Sequence, residues 1–324
     1  MENNYIIFNF FLTLIIFFCL KPISKIINIF DKPDKRKIHK NPIPAIGGII
    51  IFFILLINLI IFNNLEKEIF LLASLFMLIG IIDDAIKISA NIRLIILSML
   101  SFVFLTYFKD FNIEFLHFED IGKIYLNNYS IFFTVLSLLL FQNAMNMIDG
   151  INGLSGSIFL IIFIFIATKI GFSSFFILII FVIIIFLIFN IMNKIFMGDA
   201  GIYFLSMLSG LIIIDMSNNN LIYSEEIFLL MMLPGIDMLR LFFLRIINKK
   251  NPFNPDKLHI HHMLFNKLKS KAKTVLTIIM IYGFPILLKI SLDFKTLYLI
   301  ITQLLFYLII FYLIRDVTFY DKKK

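Results

Sequence analysis

The sequence predicts an all-α integral membrane protein of about eleven transmembrane helices, with ten as the alternative count. Three observations carry this expectation. Of 324 residues, 60% are hydrophobic, and mean hydropathy is +0.98; soluble domains sit near half apolar. Apolar runs recur along the chain at close to the ~20 residues needed to cross the hydrocarbon. Basic residues also collect in alternate loops.

In chain order the runs lie near 5–20, 45–62, 68–84, 91–108, 129–146, 154–170, 172–192, 201–215, 225–247, 273–290 and 296–314. Runs this continuous must satisfy their backbone internally, so helices are expected throughout. The first has no basic leader and no small-residue cleavage site, which predicts a retained span. One class of alternate loops holds 23 of the 29 Lys and Arg residues. In the other, Asp110, Glu114, Glu119 and Asp120 outnumber Lys109 and Lys123. The positive-inside rule then puts the N-terminus outside and the C-terminus in the cytoplasm. The 109–128 loop is expected to hold a short strand pair or a surface helix. With no linker, repeat or low-complexity tract, residues 1–324 read as one polytopic domain.

Five polar segments fall on the predicted cytoplasmic side, at 31–44, 83–91, 143–156, 193–201 and 248–272. The most informative is N-A-M-N-M-I-D-G-I-N-G-L-S-G, Asn143 to Gly156. Asn143, Asn146, Asp149 and Asn152 recur every three residues and would line one helical stripe. Polar groups at membrane depth mark a substrate or ion site. Asp83 and Asp84 form a like-charged pair at a helix end, where the dipole also disfavours them. A cation or proton would make that pair comfortable; the plainer reading is a solvated interfacial pair.

M-G-D-A-G places Asp199 in a glycine-flanked turn. Asp and Asn oxygens suit Mg²⁺, which shares its shell with water and substrate phosphates; a helix cap is the plainer reading. His259, His261 and His262 lack a suitably spaced fourth ligand for zinc. Beside Lys249, Lys250 and Lys257 they suit phosphate or sugar hydroxyls better, or else a basic loop against anionic lipid. Asp237 and Arg240, at i and i+3, are expected to pair, with Arg240 and Arg245 also within reach of an anionic substrate. The 32–40 segment reads as a topology signal.

The single cysteine, Cys19, excludes an internal disulfide or cysteine metal cluster. Basic residues without aromatic platforms speak against nucleic acid. A transporter would place polar groups at the midplane within inverted repeats, and neither is visible. Oxygen ligands, a cationic loop and apolar walls point instead to a phosphotransferase acting on a lipid phosphate.

Five motifs, I-P-A-I-G-G, I-D-D, N-A-M-N-M-I-D-G-I-N-G, K-I-F-M-G-D-A-G and P-F-N-P-D-K-L-H-I-H-H, occur in order. Together the set resembles the polyprenyl-phosphate N-acetylhexosamine-1-phosphate transferases of the glycosyltransferase 4 family. The H-I-H-H ending favours the N-acetylglucosaminyl branch over the phospho-MurNAc-pentapeptide branch. The resemblance implies transfer of a sugar-1-phosphate from a UDP-sugar to undecaprenyl phosphate in the bacterial inner membrane, at a site facing the cytoplasm. It implies Mg²⁺, with Mn²⁺ as a substitute, held by Asn146 and Asp199. Asp83, Asp84 and Asp149 would be catalytic, as base or charge organisers. Asn152 and Phe196 would recognise uracil. His259, His261 and His262 would grip diphosphate or sugar, and Lys40 and Arg240 would contact anionic substrate. A homodimer is left open. Two departures stand out: Asn152 replaces the second Asp of many relatives, and Lys87 stands where a third Asp follows the pair.

Overall fold

The computed structural model describes residues 2–27, 29–31, 41–62, 65–249 and 258–315. Each of the eleven apolar runs folds as a helix. Helix α1 (Glu2–Phe18) meets the short α2 (Leu20–Ile27) at a 64° bend. After it come α3 (Gly47–Phe62), α4 (Lys67–Ile86), α5 (Ala90–Tyr107), α6 (Ser130–Ile148), α7 (Leu154–Ile170) and α8 (Ser174–Ile191). The chain then forms α9 (Gly198–Asn218), α10 (Ser224–Ile247), the short α11 (Ile260–Leu268), α12 (Lys271–Leu292) and α13 (Thr296–Ile314). Eight of them (α4, α5, α6, α8, α9, α10, α12 and α13) are long and apolar enough to cross a membrane. The bent α1–α2 pair could be a ninth, and α3 and α7 are apolar but shorter. The chain is thus an all-α, multi-pass membrane protein.

Helix α9 is the axis. It is buried along nearly its whole length and touches α3, α4, α6 and α7. Small residues allow this close approach at its start. A Cβ on Gly48 of α3 would lie 1.9 Å from the Gly201 Cα, and one on Gly80 of α4 would lie 2.5 Å from the Ala200 Cα. Further along, Phe52, Phe70 and Phe204 interlock α3, α4 and α9 with ring centroids 5.3–5.6 Å apart. Such aromatic pairs contribute about 0.5–1.5 kcal/mol each beyond area burial. Asn9 and Asn58 bond amide to amide between α1 and α3, with Asn9 Nδ2 donating to Asn58 Oδ1 at 3.0 Å.

Short polar elements close the two ends. At one end, β1 (Phe30–Asp31) pairs antiparallel with β2 (Ile43–Pro44). At the other, the 109–128 loop forms a hairpin of β3 (Phe115–Phe118) and β4 (Gly122–Tyr125), flanked by 3-10 turns. The strand-pair alternative is the one realised. A charge cluster built around the buried Glu226 and Lys289 anchors this hairpin. Lys289 Nζ lies 3.3 Å from Glu119 and 2.9 Å from Asp293, while Lys169 Nζ lies 2.6 Å from Glu226. Glu226 is fully buried and also accepts the Tyr223 N–H at 3.0 Å, capping α10.

Candidate active site

The α4 C-terminus, the α6 C-terminus and the α7 and α9 N-termini converge at the end opposite the hairpin. The two adjacent carboxylates of α4 are divided between separate partners. Asp84 reaches across to α9 and accepts the N–H groups of Asp199 (3.0 Å) and Ala200 (3.1 Å). A carboxylate at a helix N-terminus meets both free donors and the positive dipole end. Gly198, at φ +75°, makes the sharp turn that delivers those donors. Asp83 is buried and accepts Arg93 Nη1 at 2.8 Å, the Tyr203 hydroxyl at 2.9 Å and the Ile88 N–H at 2.8 Å. Hydrogen bonds to an ionised group contribute about 1.5–3 kcal/mol each, so both carboxylates are held in place by protein. Arg93 supplies a cation to Asp83, while Asp84 takes backbone donors instead.

Asp199, in the first turn of α9, is different. Its carboxylate makes no hydrogen bond and no ion pair among the described residues. It feels the negative charges of Asp84, Asp83 and Asp149, against the single guanidinium of Arg93. Asn146 on α6 faces the same side of α9 one helical turn further along, its Nδ2 3.5 Å from the Tyr203 hydroxyl. Among the described residues, no three His, Cys, Asp or Glu side chains are grouped to cage a metal alone. That donor set fits Mg²⁺, which takes one or two carboxylates and completes its shell with water and phosphate. It does not fit a closed tetrahedral zinc site.

The turn after α6 carries Asp149, whose carboxylate accepts the Ser155 hydroxyl of α7. Burial pushes Asp149 up to about 6; Ser155 opposes that rise and the nearby Asp31 charge adds to it. Asn152 is fastened rather than free. Its Nδ2 donates to the Asn190 carbonyl at 2.8 Å and to Asn193 Oδ1 at 3.0 Å. Both amide hydrogens are thereby used, leaving the carbonyl oxygen as its open function. Asn190 completes the splice, accepting Gly153 N–H at 2.6 Å and donating to the Ile195 carbonyl at 2.8 Å. Phe196, expected beside uracil, is half-buried, and its backbone N–H donates to the Pro44 carbonyl at 2.8 Å. Asn143 turns to its own helix, donating to the Leu139 carbonyl at 2.8 Å.

The histidines hang from α10. Asp237 receives His259 Nδ1 at 2.9 Å, Arg240 Nη2 at 2.8 Å and the Tyr307 hydroxyl at 3.2 Å. It also accepts the Ile260 N–H at 3.2 Å and so caps α11. With Nδ1 taken, His259 can present only Nε2 outward. Arg240, expected as a substrate contact, is committed to protein: Nε donates to Tyr307 at 2.9 Å and Nη2 to the Leu258 carbonyl at 2.7 Å. His261 is 1% exposed, and among the described residues neither ring nitrogen has a hydrogen-bond partner. It lies over Gly150, where a Cβ would come within 2.1 Å of Nε2. Burial, with His262 and His259 beside it, holds His261 well below the usual histidine range and therefore neutral. The ring of His262 lies 4.2 Å from that of His261. Lys40 lies outside the described residues.

Sequence reasoning gave no site role to Arg93, Tyr203, Ser155 or Asn190, although Asn190 stood out as a polar residue shortly before M-G-D-A-G. Tyr203 was findable, because it lies one helical turn after Asp199 and so shares its face.

Buried carboxylates on converging helix ends, with an Asp199 that has no hydrogen-bond or ion-pair partner among the described residues, make one end of this polytopic membrane protein the candidate active site. Comparison with known sequences narrows that class. The family model described as glycosyl transferase family 4 matches residues 67–217, which span Asp83 to Asp199. A Thermotoga maritima protein named undecaprenyl-phosphate alpha-N-acetylglucosaminyl 1-phosphate transferase is 30% identical over 274 residues, 84% of this chain and 84% of that one. The Escherichia coli K12 protein of the same name is 26% identical over 276 residues, covering 78% and 73%. That of Yersinia pestis is 24% identical over 281 residues, covering 80% and 75%. The chain belongs to glycosyl transferase family 4.

Proposed function

We propose that the chain transfers a sugar-1-phosphate, by default GlcNAc-1-phosphate, from a UDP-sugar to undecaprenyl phosphate. The products are a lipid-diphosphate-sugar and UMP, in the first membrane step of cell-envelope polysaccharide synthesis. The observation that carries this reading is the Asp199 carboxylate, left without a hydrogen-bond or ion-pair partner among the described residues in a cluster already rich in negative charge. Such a group calls for a cation and, through it, a phosphate. The relatives' shared name supplies the substrates. The one-sided basic loops support a cytoplasmic site in the bacterial inner membrane.

In this reading Asp199 and Asn146 hold Mg²⁺, which supplies charge neutralisation for the diphosphate when bound. A lipid-phosphate oxygen forms a bond to the β-phosphorus, and the bond from that phosphorus to the bridging oxygen breaks. UMP departs with the bridging oxygen. Phosphoryl transfer needs little beyond positioning and charge stabilisation. Asp84 fixes the α9 terminus that presents Asp199, and Asp83, through the Tyr203 hydroxyl, holds α4 against it. Asp149 is set to take any proton remaining on the lipid phosphate, whose second ionisation also lies near about 6. The Asn152 carbonyl can accept the uracil N3–H, with Phe196 stacking on the ring. His259 Nε2 and the neutral His261 offer hydrogen bonds to sugar or diphosphate.

The test is UMP release from a panel of UDP-sugars in membranes, with and without undecaprenyl phosphate, with mass spectrometry of the lipid product. Release that needs both the lipid and a divalent cation is expected, with UDP-GlcNAc preferred. Release without the lipid overturns the acceptor assignment. Full activity of Asp199→Asn overturns the metal assignment.

A further inference from the structure

One helical turn deeper than Asn146, the α6–α9 seam holds two polar side chains that the proposed reaction does not use. Gln142 is fully buried, and among the described residues neither its amide nitrogen nor its carbonyl oxygen has a hydrogen-bond partner. Ser206 is 1% exposed, and its hydroxyl is also unpaired. Two contacts fix the register of these helices. Asn146 meets Tyr203 at 3.5 Å, and a Cβ on Gly210 would touch the Leu138 side chain at 2.9 Å. Residues 138, 142 and 146 share one stripe of α6, and residues 203, 206 and 210 share the facing stripe of α9. Gln142 and Ser206 therefore stand at one level of the seam.

A primary amide has two donor hydrogens and an acceptor oxygen. Leaving all of them unpaired in an apolar interior is severely unfavourable. Internal waters bind where two to four polar groups converge in just this way. The serine hydroxyl could have turned to a carbonyl of its own helix, as Ser209 does to Leu205 at 2.7 Å, but it does not. We infer that Gln142 and Ser206 form an internal water site in the α6–α9 seam, directly beneath Asn146. A water there donates to the Gln142 carbonyl oxygen and accepts from its amide, with the Ser206 hydroxyl as the partner across the seam. It ties the two helices at the level just below the point where Asn146 is presented. This site stands independently of the proposed reaction.

Radiolytic hydroxyl-radical labelling of the purified full-length protein, read by mass spectrometry, tests it. Radicals made from a bound water modify side chains beside it that bulk solvent never reaches. Met145, three residues after Gln142, and Met207, next to Ser206, are fully buried, whereas Met192 is 55% exposed and serves as control. Oxidation of Met145 or Met207 is expected in the unmodified chain, falling by about fivefold or more in Gln142→Leu while Met192 is unchanged. The inference is overturned if both buried methionines stay unmodified at doses that oxidise Met192. It is equally overturned if their labelling persists when Gln142→Leu and Ser206→Ala are combined. Melting temperatures give a second reading. With a shared water, each substitution lowers the melting temperature and the pair is less than additive; in a dry seam, Gln142→Leu raises it.

Discussion

Both ends of the bundle bury charge, and they treat it differently. At the hairpin end, Lys169 and Lys289 are matched by Glu119, Glu226 and Asp293 within a few ångströms. At the opposite end, Asp83, Asp84, Asp149 and Asp199 sense one another's charge, with Arg93 the single neighbouring cation among the described residues. A balanced cluster is complete as protein and holds elements together. An unbalanced one costs stability unless something cationic arrives, so its retention points to a ligand.

Four outcomes would break or sharpen that contrast. The largest is Asp199→Asn, which should lower kcat for UMP release about 10³-fold while the melting temperature of the metal-free protein rises, because one of the repelling charges is gone. Near-normal turnover would mean that the surplus charge is incidental. Next, Asp149→Asn should reduce kcat about 10²-fold. In the unmodified chain, activity should rise with pH through about 6, where Asp149 ionises, and the variant should lose that limb. Stability should run the opposite way. The folded value lies above the ordinary one of about 3.9, so the protein loses stability as pH rises from about 4 to 6. Asp149→Asn should flatten that decline, and an unchanged slope would place the group in water.

At the balanced end, Lys289→Met leaves Glu119 without its cation and Glu226 with Lys169 alone, and should remove about 2 kcal/mol of stability. The turnover of folded protein should stay within about twofold, because nothing there meets substrate. A selective loss of kcat would join the two ends functionally and dissolve the comparison. The smallest effect belongs to Tyr203→Phe. It deletes one of several bonds to Asp83 and should lower kcat by about fivefold, in line with about 1 kcal/mol for a hydrogen bond. A collapse in activity would move Tyr203 from supporting Asp83 to touching substrate.

The helices were legible because runs of Ile, Leu and Phe at membrane length leave the backbone no other arrangement. The site was legible as a set of residues, because Asp83, Asp84, Asp149 and Asp199 sit in otherwise apolar surroundings. What each one faces was not. The Asp84 partners lie 115 and 116 residues away, and no periodicity encodes a contact at that separation. Arg93 passed for a topology charge, since a basic residue after a span needs no further explanation. Arg240 looked like a ligand because its neighbours Tyr307 and Leu258 belong to other elements. Helices α2 and α11 are too short to announce themselves as apolar runs.

The clasp between Asp84 and the start of α9 also has a meaning in time. Asp84 is made 115 residues before the amide it must meet. At ribosomal speeds of about 5–20 residues per second, that is a wait on the order of 10 s. For that interval the first half of the bundle holds a carboxylate pair whose helix-terminal partner has not yet been synthesised. The arrival of α9 is then the event that closes the enzyme, and a nascent chain halted before Gly198 would be inserted but not assembled.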